Sequence, residues 1–157
     1  FLDGLAYNYE EEGPTLRSFR RVVRDGVAHC MGGALTAASI LREHGYPPRL
    51  LCMEASDIDH MIFPYRGNGN LLGAVAQSRD PNLRGREPRY KTLRELVMSY
   101  YPHYFNYWTG DRGDLTLRGF TLADLSRFGD AIAVSESDLW EVEDILYRTR
   151  YFALFSD

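Results

Sequence analysis

Cysteine is scarce in this chain, and no long apolar run interrupts it. Two cysteines among 157 residues are too few for a disulfide scaffold, which makes a reducing cytosol the default compartment. No stretch approaches the roughly 18 consecutive apolar residues of a membrane-spanning helix. Positive charge is also in short supply. With 18 Lys and Arg against 22 Asp and Glu, the formal net charge is −4, so neither nucleic acid nor an anionic membrane is the expected partner. The opening FLDGLAYNYEEEG has no basic segment leading into an apolar one, so no signal peptide is expected there, and without a starting Met a processed or trimmed chain is the expectation. Repeats, low-complexity segments and linkers are lacking. No His/Cys cluster has metal-ligand spacing and no glycine-rich loop follows a strand in phosphate-binding form, so no metal or cofactor is expected. What remains is 45% hydrophobic and 25% charged, an ordinary composition for one soluble globular domain spanning 1–157.

Turn and cap residues divide that domain. Pro14 and Gly26 bracket a first helix from Thr15 to about Arg24, with Arg17, Arg20, Arg21 and Arg24 on one solvated face. A second helix runs from Cys30 to His44 and ends at Gly45, Pro47 and Pro48. Its body, GGALTAASIL, is short-chained on nearly every side, which suits a central buried helix against which other backbone packs closely. RLLCMEA then reads as a strand, and HMIFPYRGNGNLLGAVAQS reads as a hairpin turning at Asn68-Gly69. Pro64 pushes the first arm toward a sheet edge or bulge. A helix over about Thr92 to Tyr101 follows, and the last third reads as helical, with Thr121 and Ser135 as N-caps. The fold class is α+β, with a helix first, antiparallel strands next and helices last.

Cys30 is the residue in this layout with the clearest chemistry. A helix N-terminus stabilises a thiolate through its dipole and free N–H groups, and the same amides can hold an oxyanion. Gly32 and Gly33 leave room beside it for a substrate carbonyl. The order is Cys30, Ala34, Leu41-Arg42, Gly45, Pro47-Pro48-Arg49, a strand, and then His60-Met61-Ile62-Phe63. It resembles the transglutaminase-like superfamily, a branch of the papain-like fold, over roughly residues 25 to 85. The resemblance implies a central helix on an antiparallel sheet. It also implies a triad of Cys at the helix start, His opening one strand and Asp ending the next.

The matching histidine is His60. His29 adjoins Cys30, and neighbours within a helix do not face each other. His44 serves as a C-terminal dipole partner, and His103 belongs to the aromatic run YYPHYFNYW. Asp80 is the nearest downstream carboxylate for orienting the His60 ring, but the aromatic residue that usually precedes the family's acid is missing from LLGAVAQSRD. Gln77 or Ser78 could orient the ring instead, and Asp80 fits equally as an Asp-Pro turn former. Arg79, with Arg84, Arg86 and Arg89, could bind a substrate carboxylate or phosphate, or simply populate a solvated loop. Trp108 and the tyrosines around it read as core and groove lining, Glu10-Glu11-Glu12 as a polar run on a loop, and Arg112-Gly113-Asp114 as a chance tripeptide.

The expectation is therefore a cysteine-nucleophile acyl-transfer enzyme acting on a peptide or amide substrate, with water or an amine as acceptor. A binding domain whose triad has decayed is the competing class, and a redox-structural role for Cys30 and Cys52 is a third.

Overall fold

The computed structural model describes residues 1–156. In chain order the elements are β1 (Ala6–Tyr7), α1 (Phe19–Asp25), β2 (Val27–Ala28), α2 (Cys30–Arg42), β3 (Arg49–Ala55), β4 (His60–Arg66), β5 (Leu72–Val75), β6 (Arg86–Tyr90), α3 (Leu93–Met98), β7 (Leu117–Asp124), α4 (Ala131–Val134), α5 (Trp140–Arg148) and β8 (Tyr151–Ala153). The architecture is α+β. Six strands form an antiparallel sheet in the order β6-β5-β4-β3-β7-β8, and β1 pairs in parallel with β2 beside it.

Helices cover both faces of the sheet, and β3 shows why. Successive side chains of a strand point to opposite faces. Leu50 and Cys52 of β3 accordingly pack with Ala34, Leu35 and Ala38 of α2, and with Ile132 of α4 and Val142 of α5. Leu51 and Met53 pack on the opposite side with Leu96 and Val97 of α3, Tyr100 and Phe120. In α2 every residue from Met31 to Ser39 is buried, as its small side chains predict.

The strand RLLCMEA, the hairpin and the helix start at Cys30 stand as read. Three other expectations do not. Pro64 lies on an interior strand and pairs with Ala74 of β5. It is tolerated because the β3–β4 ladder ends at Leu51 and Ile62, so no partner awaits the missing N–H on that side. Thr121 is not an N-cap but sits mid-strand in β7 opposite Cys52. Ser135 follows α4 as its C-cap and does not start a helix. The T-x-x-D spacing imitates a capping box, but burying Leu117, Phe120 and Ala123 on the sheet decides the local structure. The arginine face of α1 is also less free than expected, with Arg21 paired to Asp138 and Arg24 to Glu136.

The two glycines after Cys30 make packing contacts. An added Cβ at Gly33 would lie 2.5 Å from the Gln77 Cβ, so the absent side chain lets α2 meet the segment leaving β5. At Gly32 it would meet Ala28 and Val22 at 3.5 Å, an ordinary contact distance. Neither glycine opens space for a substrate carbonyl. Substituting them should have opposite results in thermal melts. Gly33→Ala should lose about 1–3 kcal/mol through overpacking. Gly32→Ala should be neutral or gain up to about 1 kcal/mol from helix propensity. Equal melting temperatures for the two variants would contradict the close approach at Gly33.

Candidate active site

Cys30 is half-buried at the first turn of α2. Its sulfur is hydrogen-bonded by both His29 and His60. His60 is the first residue of β4 and is buried, so its ring has little freedom. Its Nε2 lies 2.7 Å from the Leu83 carbonyl oxygen, which leaves Nδ1 to meet the sulfur. A donor at Nε2 and a free lone pair at Nδ1 form the tautomer a base needs toward a thiol.

The orienting partner of His60 is thus main chain, which corrects the expectation that Asp80, Gln77 or Ser78 would hold the ring. Asp80 accepts the Asn82 N–H at 2.8 Å and caps a short 3-10 turn, Pro81–Leu83, so it is the Asp-Pro turn former. Gln77 donates to the Leu2 carbonyl oxygen at 3.1 Å and accepts the Ser78 N–H. The Ser78 hydroxyl accepts the Asp80 N–H. These bonds shape the loop that presents the Leu83 carbonyl, so the three residues act on His60 at one remove.

His29 enters the site by a route the helix-neighbour rule does not cover. It is the N-cap of α2, with extended backbone, and stands outside the helix. Its side chain therefore folds back over the first turn, where Nδ1 lies 3.3 Å from the Gly32 N–H. Nε2 lies 2.8 Å from the Thr15 carbonyl oxygen and 3.0 Å from a Glu10 carboxylate oxygen. Within the chain, a histidine directly before the helix start at Cys30 was the available signal.

Burial alone would raise the Cys30 pKa, but the hydrogen bonds and charge of His29 and His60 prevail and bring it down to about 5. Burial likewise opposes charge on His29, yet the thiolate, the Thr15 carbonyl and Glu10 raise it to about 9. Burial pushes Tyr7 up to about 12, aided by the Cys30 charge and opposed by Arg79. Cys52 is raised far above the ordinary thiol range, mainly by burial.

The sulfur sits between two hollows. One of about 120 Å³ is lined by His60, Ser78, Arg79, Asp80, Leu83, His103 and aromatic side chains from 104 to 107. The other, of about 290 Å³, is lined by His29, Glu10, Met61, Trp140 and Glu143. Tyr7, Cys30, Ile58 and Arg79 border both. Arg79 stacks on the Tyr107 ring at 3.6 Å and donates to its hydroxyl at 2.9 Å. Of the predicted residues, then, Cys30, His60, Ser78, Arg79 and Asp80 share the cleft, whereas Gly32, Gly33 and Gln77 pack behind it. No protein-family model matches the chain, and no curated protein matches its sequence.

The lowered Cys30 pKa sets a pH window. Thiolate, the reactive form, should predominate above about pH 5, whereas a free thiol ionises near about 8.5. Iodoacetamide labelling followed by mass spectrometry should show Cys30 reacting near its plateau rate at pH 6 to 7, with Cys52 nearly unlabelled. An inflection near that of a free thiol would contradict the ion-pair geometry.

Proposed function

We propose that this chain is a cysteine-nucleophile acyl-transfer enzyme of transglutaminase-like, papain-like architecture, acting on a peptide or other amide. One observation carries the reading: a thiol at the N-terminus of a buried helix is hydrogen-bonded by a strand histidine and opens onto a cleft. The antiparallel sheet with the Cys-bearing helix packed on it agrees with that architecture.

The chemistry follows from the atoms present. The Cys30 proton passes to His60 Nδ1, and the sulfur attacks the amide carbonyl carbon. The oxyanion that forms lies near the Cys30 and Met31 N–H groups, which begin the helix and have no place in its hydrogen-bond ladder. As the C–N bond breaks, His60 gives its proton to the departing amine, leaving a thioester on Cys30. Water or an incoming amine then loses a proton to His60 and attacks the thioester. The sulfur departs, and the acid or new amide is released. His60 lines the smaller hollow and not the larger one. The departing and incoming amines therefore belong on the smaller side, and the acyl group beside Trp140 and Met61.

Substitutions test both the nucleophile and the unusual third member. Cys30→Ala should abolish turnover across a panel of amides with and without amine acceptors, with stability changed by less than about 1 kcal/mol. His60→Ala should lose nearly as much activity. Asp80→Asn keeps an oxygen for the Asn82 N–H, so it should retain activity within about tenfold, whereas loss of an orienting triad carboxylate costs orders of magnitude. Full activity in Cys30→Ala would end the mechanism, and an Asp80→Asn variant as dead as His60→Ala would restore Asp80 to the triad. A wild type inert on the whole panel would favour the decayed binding domain.

A further inference from the structure

The mechanism above uses one imidazole, yet the sulfur has two. Several independent features converge on the second. His29 Nε2 is held by the Thr15 carbonyl oxygen and the Glu10 carboxylate. Glu10 is itself built into place, with its carboxylate accepting the Thr15 N–H at 2.7 Å and the Thr15 hydroxyl at 3.2 Å. Asn8 braces the same loop by accepting the Glu10 N–H at 3.1 Å and donating to Thr15 Oγ1 at 3.1 Å. Glu10 also has a φ of 56°, a left-handed conformation that non-glycine residues rarely adopt and that a solvated acidic run would not require.

We propose that Glu10 and His29 form a carboxylate–imidazole pair that holds the Cys30 sulfur as thiolate, leaving His60 to move the proton of each turnover. His29 and Glu10 are positioning residues in this scheme. Nε2–H points to Thr15 and Glu10, so the second proton of the imidazolium sits on Nδ1, where it turns to the sulfur and gives up the Gly32 N–H that the neutral ring accepts. That proton comes from solvent and stays on the ring. The sulfur starts each cycle already as thiolate with its former proton on His60 Nδ1, which goes to the departing amine and is regained from the water or incoming amine as the thioester is opened, so the acyl-transfer steps balance. The charge is local: Glu10 faces His29 from the 8–15 loop, and the sulfur faces His60 from β4, Tyr7 from β1 and Arg79 from the loop after β5. Tyr9, Tyr104, Cys52 and Glu143 are further ionisable groups around the pair, and Asp57, Asp59, Asp80 and His103 line the smaller hollow. The assignment rests on the acyl-transfer reading for its purpose, but its test needs no turnover.

The test is the pH profile of Cys30 alkylation by iodoacetamide, read by peptide mass spectrometry in the whole chain. His29→Asn keeps a strong N-cap, so the helix start survives while the imidazole is lost. Its inflection should move up by about two pH units, slowing alkylation at pH 6 roughly tenfold. Glu10→Gln should move it in the same direction by a smaller amount, and it decides the matter alone if His29→Asn fails to fold. Profiles of the folded variants that coincide with wild type would overturn the proposal, even with amide turnover intact. A wild type without amide turnover, but with the shifted profiles, would sink the acyl-transfer reading and leave the thiolate pair standing.

Discussion

The candidate site depends on how closely α2 lies against the sheet. A helix carrying a cysteine on its first turn can bring it to a histidine on a strand only if the two backbones come near. Here alanine, glycine, serine and threonine supply much of the contact surface, and the gap at Gly33 is filled by Gln77. Because nine consecutive helix residues are buried, the helix has little freedom to slide or rotate. Cys30 is thereby set opposite His60 by packing that extends well beyond the site.

The second level of organisation is electrostatic. A thiolate in a half-buried position needs compensation, since burial favours the neutral thiol. Compensation comes from opposite directions, with His60 on the sheet and His29 at the helix cap, while Glu10 backs the latter. The N-terminal segment carrying Tyr7 and Glu10 is tied to the helix entrance by the β1–β2 pair, so a short parallel ladder outside the main sheet contributes to the environment of the sulfur. Cys52 has the same chemistry without these partners and is locked as a thiol between α2 and the sheet, a core residue rather than a second centre.

Much of this was legible in the sequence because local physics and tertiary packing agree there. The small-residue run of α2, the alternation in β3 and the Asn68-Gly69 turn each state their structure without outside help. The pairing of Phe63 with Val75 set by that turn is what carries the residues after β5 toward His60. The misreadings have separate physical causes. Thr121 and Ser135 fit local capping patterns, but sheet burial outweighed the pattern at Thr121 in β7, and Ser135 closes α4 with its hydroxyl engaged by Ser137. His29 was set aside by a rule that holds only inside a helix, and Glu10 by its place in an acidic run. The Leu83 carbonyl could not be found by inspecting side chains at all, since every residue has one and only the fold aims it.

That carbonyl has a consequence of its own. A carboxylate orienting a histidine gains a proton in acid and can be deleted by one substitution. A peptide oxygen neither titrates nor disappears when its side chain is changed. The grip on His60 is therefore insensitive to acidity and hidden from alanine scanning, and it is lost only when the turn at Pro81–Leu83 moves. The Leu83 side chain packs against the core beneath that turn, so it serves the contact by holding the loop in place and takes no direct part in it.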